Sequence, residues 1–84
     1  MKTSPTTRQV QGLTAIDAHH RAHGYAPTVR ELGSALGIRS TNGVAELLCA
    51  LQTRGLITAQ PGKARTTMLT KAGRAVLAAV EALQ

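Results

Sequence analysis

The 84-residue sequence has no tryptophan and no phenylalanine, and Tyr25 is its one tyrosine. A core without large rings has to be built from Leu, Val, Ile and Ala, which suits packed helices better than a β-sandwich. A single cysteine, Cys49, allows neither an intramolecular disulfide nor a cysteine-based zinc centre, and fits a reducing compartment. The opening MKTSPTTRQVQG lacks the apolar centre of a secretion signal, and no stretch approaches the length of a membrane span. A cytoplasmic protein without a membrane partner is expected. Acidic residues are also scarce: four Asp and Glu face ten Lys and Arg, for a net charge of +6. That excess on so small a surface draws polyanions, and nucleic acid suits it better than an acidic membrane.

Catalytic constellations are missing as well. There is no Gly-rich phosphate loop and no acid/base pair, and Cys49, between Leu48 and Ala50, has no base beside it. No catalytic residue is assigned, and the chain is not expected to be an enzyme. His19 and His23 have the helical spacing of four that can hold a metal, but nothing supplies the remaining ligands, so surface histidines are the simpler reading. Neither a metal nor a cofactor is expected.

What the sequence does contain is regular punctuation. Thr6 with Gln9 has the form of a capping box and opens a first helix that runs to about His23 and stops at Gly24. Its inward stripe is Leu13, Ile16 and His20, with Val10 at the edge; Gly12 points to a close neighbour or a weak spot. Thr28 with Glu31 repeats the capping signal for a short second helix ended by Gly37, with Val29, Leu32 and Leu36 on one face. Ser40 or Thr41 caps a third helix that continues to about Thr53 and stops at Gly55. Val44, Leu47, Leu48 and Leu51 gather on its inner side; Asn42, Glu46, Cys49 and Thr53 gather opposite, with Ala45 at the margin. The period then changes: LITAQ and TTMLT flank the turn sequence PGKAR, which reads as a hairpin with a basic tip. Thr70 caps a last helix whose expected stripe is Ala72, Val76, Ala79, Val80 and Leu83, with Lys71, Arg74 and Glu81 pointing away. Leu77 falls off that stripe, a hint of a partner surface.

This order gives a mainly α fold with a small β-hairpin: a winged helix-turn-helix over residues 1–70, followed by a C-terminal helix over 71–84 that packs on the domain or dimerises. In such a fold the second helix braces the third, whose N-terminal residues enter the major groove of double-stranded DNA. Asn42 suits bidentate contact with adenine, and Glu46, one turn on, can accept from a cytosine amino group. A helix cap is the competing role for Asn42, and a solvated surface carboxylate for Glu46. Thr28, Arg30 and Arg39 stand where helix-start amides and cations meet phosphates, or serve simply as cap and surface charge. Lys63 and Arg65 at the hairpin tip are the stronger phosphate candidates. Arg54 either contacts phosphate or complements the dipole of its own helix.

The pieces T-x-R-Q, G-Y-x-P-T-V-R-E-L, L-G-I-R-S-x-N, L-x-x-L-x-x-R-G-L-I and P-G-K-A-R stand in register across most of residues 6 to 69. In this the chain resembles the N-terminal DNA-binding domain of LexA-type repressors. The resemblance implies that the start of the third helix reads an operator, through Ser40, Thr41, Asn42, Gly43, Ala45 and Glu46. It implies a transcriptional regulator, most simply a repressor that excludes polymerase, in the nucleoid of a bacterium or encoded by a phage. The Ser-Lys dyad domain of full-length LexA-type proteins has no counterpart in the 84 residues, so self-cleavage is not expected of this chain. Cys49 departs from the polar or basic residue usual at its position, and Gly43 loosens the reading end. The tail LTKAGRAVLAAVEALQ is similar instead to the segment after the wing in MarR-like regulators, where the last helix contributes to a homodimer. A protein-binding adaptor that modulates another regulator or polymerase is the alternative, with Leu47, Cys49 and Leu77 as the apolar groups that would grip a protein partner.

Overall fold

A computed structural model describes residues 6–60 and 65–83. Helix α1 spans Thr7–His23, α2 Val29–Leu36, α3 Thr41–Thr53 and α4 Lys71–Ala82, with strands β1 at Ile57–Thr58 and β2 at Met68–Leu69 between α3 and α4. The expected start signals act as written. The Thr6 hydroxyl accepts from the Gln9 amide while the Gln9 side chain accepts from the Thr6 amide, and Thr28 and Glu31 do the same for α2. Ser40, rather than Thr41, caps α3. Gly37 ends α2 in the left-handed conformation at φ 71°, and the Ile38 amide returns to the Gly33 carbonyl at 2.9 Å. This closing bond turns the chain tightly enough for α3 to begin four residues later.

α1, α2 and α3 pack on one another around Leu13, Ile16, Leu32, Val44, Leu47 and Leu51, all buried. The expected close neighbour of Gly12 is present: a Cβ there would stand 3.1 Å from Leu47 Cδ2 and 3.3 Å from Leu51 Cδ1. Leu48 and Leu36 are partly buried against the same core, whereas Val29, expected on the inward face of α2, is 38% exposed at the helix's open first turn. His20, expected inward, is only half-buried.

The hairpin is shorter than LITAQ and TTMLT suggest. Only Ile57 pairs with Leu69 and Thr58 with Met68, antiparallel, and beyond them the Gln60 amide is taken by the Thr66 hydroxyl at 2.9 Å instead of by a ladder bond. Leu56 and Ile57 close the bottom of the core.

Thr70 joins the hairpin to α4 with one hydroxyl, which donates to the Gly55 carbonyl at 2.6 Å and accepts from the Gly73 amide at 3.1 Å. α4 lies on α1 and β2, but turned from the expected orientation. Gly73 is its buried residue, and Val76 and Leu77 pack against the core. Ala72, Ala79 and Leu83, expected inside, are exposed. The physical reason is Gly73: a Cβ there would collide with the Leu56 carbonyl oxygen, so the glycine edge is the edge that can lie flat on the domain. Leu77, one turn on, is carried inward with it and is not a free partner surface.

Candidate nucleic-acid interface

Helix α3 has two chemically distinct sides. Burying Val44, Leu47 and Leu51 fixes its rotation, and the opposite side is then obliged to face solvent. Thr41, Asn42, Ala45, Glu46 and Cys49 are all exposed there. Small or short side chains alternate with polar ones, so a base edge could be approached closely along this face. Ser40 sits at the cap, its hydroxyl engaged with the Gly43 amide at 3.3 Å. Gly43 itself is only half-exposed and turns toward Ile38, whose Cγ2 would stand 3.1 Å from a Cβ at that position. Its role in this structure is to let α3 start close against the turn.

Between α2 and the start of α3 lies an open groove floored by Gly33, Ile38 and Val44 and rimmed by Arg30, Arg39, Ser34, Ser40 and Thr41. No carboxylate lines it, and no acidic residue occupies the first turn of α3. Two arginines, three hydroxyl-bearing residues and the positive end of a helix dipole therefore border one concavity, a composition complementary to a phosphate.

The start of α2 is different. The amides of Thr28 and Glu31 are already used by the capping box, and the Glu31 carboxylate itself occupies the helix N-terminus. That carboxyl is held down at about 2, first by the Thr28 amide and then by the Arg65 guanidinium. A fixed negative charge stands where Thr28 was expected to meet phosphate.

Arg65 also sits differently from the freely solvated wing cation that its place in PGKAR suggests. Its guanidinium forms a paired contact with Glu31, 3.1 Å to Oε1 and 3.4 Å to Oε2, donates to the Ala26 carbonyl at 3.2 Å, and lies 4.5 Å over the Tyr25 ring. Its companion Lys63 lies outside the described residues. Arg54 caps the far end of α3, beside Glu46, Cys49 and Thr53, and a helix of 13 residues separates it from Ser40.

Two side-chain contacts near this surface are not signalled by periodicity or capping. Arg8 reaches from the first turn of α1 to donate to the Leu36 carbonyl at 3.1 Å, tying the end of α2 to α1. Tyr25, read only as the lone ring, is the platform under Arg65. Arg8 stands inside the T-x-R-Q piece and Tyr25 inside G-Y-x-P-T-V-R-E-L, so position in a motif was the available signal. Of the groups that favoured a protein-binding adaptor, Leu47 is buried and Leu77 packs on the core; only Cys49 remains exposed. Among the described residues no group of three or more His, Cys, Asp or Glu could hold a metal ion, and no helix is long and apolar enough to cross a membrane.

Comparison with known proteins agrees with this geometry. A family model described as the LexA DNA binding domain matches residues 2–66. A LexA repressor of Anaeromyxobacter dehalogenans (strain 2CP-1) is 46% identical over 72 residues, which is 86% of this chain and 32% of that protein. A LexA repressor of Lacticaseibacillus casei is 50% identical over 52 residues, 62% of this chain and 25% of that one. The chain thus spans about a third or less of the length of these curated relatives. Among solved structures, a mutant of S. aureus MepR superposes with a TM-score of 0.72 over 93% of this chain and 57% of its own, at 24% identity, a likeness of fold. The architecture is that of a winged helix.

Proposed function

Because the chain belongs to the LexA DNA-binding domain family, we propose that it binds double-stranded DNA sequence-specifically and represses transcription by occupying an operator. The observation that carries this reading is the exposed face of α3 beside a carboxylate-free groove rimmed by Arg30 and Arg39. α3 enters the major groove with Thr41, Asn42, Ala45 and Glu46 toward the bases, Ser40 at the cap and Gly43 permitting the close start. A phosphate sits in the groove between Arg30 and Arg39, and Lys63 meets the neighbouring backbone from the wing. Arg54, at the far end of α3, contributes to the general positive field more than to a particular phosphate. The protein acts in the cytoplasm on the nucleoid and carries out no catalysis.

A homodimer follows from the same reading, because two linked half-site readers gain specificity and affinity together. The end of α4, where Leu83 is 87% exposed, is the surface on which a second copy would meet it. Selection from random-sequence duplexes tests the whole proposal. Salt-sensitive binding with an enriched motif is expected, and symmetry in that motif reports the dimer. No binding to any duplex at low salt would overturn the DNA-binding reading.

A further inference from the structure

The wing cannot hold its own position. Two-residue strands supply almost no ladder, and an isolated hairpin of any length is marginal in water. The base of the hairpin is seated by Leu56, Ile57 and Leu69, and beyond that base one described side chain reaches back to the start of α2. Arg65, at φ 63° in the left-handed region that ordinary residues avoid, sends its guanidinium back to Glu31 and Ala26. The planar fork matches the carboxylate with two parallel bonds, and the Tyr25 face covers it from the other side.

The two side chains that hold Arg65 are themselves held in place. Glu31 accepts from the Thr28 amide at 2.8 Å as part of the α2 capping box, so its carboxylate cannot swing without uncapping the helix. The Tyr25 ring stacks on His23 at 5.6 Å between centroids, and the Tyr25 carbonyl is hydrogen-bonded to His19 Nδ1 at 3.0 Å. With the Arg65 charge offset by Glu31, little of it is left to attract phosphate. We infer that Glu31 and Tyr25 are positioning residues for DNA binding: they clamp Arg65 and so fix the wing in register with α2 and α3. This rests on the DNA-binding reading above.

A contrary role makes the opposite prediction. If Glu31 merely restrained a cation destined for phosphate, removing its charge would release Arg65 and tighten binding. Glu31→Gln separates the two, since glutamine preserves the capping box but not the ion pair. Arg65→Lys keeps the positive charge and loses the fork, and Tyr25→Leu removes the ring face while Tyr25→Phe keeps it. The assay is affinity for the selected duplex across a salt series, with exchange of the Gln60 amide, which closes the wing onto Thr66, as a direct reading of wing order.

The clamp predicts that Glu31→Gln, Arg65→Lys and Tyr25→Leu each bind about tenfold more weakly, with a salt slope shallower by about one phosphate contact. It also predicts unchanged base preference, lost protection at Gln60 with α3 amides unaffected, and wild-type behaviour from Tyr25→Phe. A purely structural role would lower thermal stability without moving the slope. Equal or tighter binding by Glu31→Gln overturns the clamp alone. Failure of the wild-type protein to bind any duplex at low salt overturns the DNA-binding reading and the clamp with it.

Discussion

Replacing Gly73 with alanine sets two expectations against each other with opposite signs. In an ordinary helix interior the change stabilises by about 1 kcal/mol, because alanine loses less backbone entropy. Here the added methyl would strike the Leu56 carbonyl oxygen, while Leu69 Cγ at 3.4 Å would be in ordinary contact. That carbonyl cannot yield without cost, since it accepts from the Thr70 amide at 3.0 Å, and Thr70 is the cap of α4. Overpacking of this kind costs about 1 to 3 kcal/mol, and weakening the Thr70 bond adds about 1 kcal/mol. After subtracting the gain in propensity, the net effect is destabilisation by about 1 to 3 kcal/mol. For a domain of this size it lowers the Tm by about 5 to 20 °C. Thermal unfolding followed by far-ultraviolet circular dichroism measures it. A Tm at or above that of the wild type would mean that α4 is not seated on Leu56. The helix would then be free to swing out, and the orientation that carries Leu77 inward would be wrong.

The remaining predictions concern single side chains. Asn42→Ala should weaken binding to the selected site by about 1 to 3 kcal/mol and relax preference at one base pair, whereas Lys63→Ala should weaken all sequences alike. If both changes lowered only nonspecific affinity, Asn42 would not be reading a base. Acid should expose the Glu31 ion pair. A carboxyl held at about 2 in the folded chain against an ordinary 4.5 contributes stability that is present above pH 4.5 and lost as the pH falls toward 2. Wild-type protein should therefore lose more Tm across that window than Glu31→Gln, and parallel curves would refute it. Arg8→Ala should cost about 1 kcal/mol in urea unfolding by uncapping the last turn of α2. An unchanged midpoint would show the Leu36 carbonyl to be equally well served by water.

Much of the molecule is decided within a few residues of chain. The boxes Thr6 with Gln9 and Thr28 with Glu31, and the left-handed stops at Gly24, Gly37 and Gly55, place the helix ends in the sequence itself. Capping is a contact between residues three apart and requires nothing distant. The two-sidedness of α3 is equally local, because spacing alone puts Val44, Leu47 and Leu51 opposite Asn42, Glu46 and Cys49.

Contacts between distant segments were decided otherwise. Periodicity placed Leu77 outside because it scores glycine as neutral, while in three dimensions the missing Cβ of Gly73 lets its edge lie against the Leu56 carbonyl. Arg65 read as a wing cation because a turn sequence with two positive charges says nothing of a carboxylate 34 residues earlier. Only folding brings Glu31 and Tyr25 beneath it. The sequence by itself determined where helices begin and end, which face of α3 is polar, and the positive sign of the surface. The tertiary structure decided that Arg65 lies against Glu31 and the Tyr25 ring, since the charge of an arginine is fixed by its chemistry but its partner only by proximity in space.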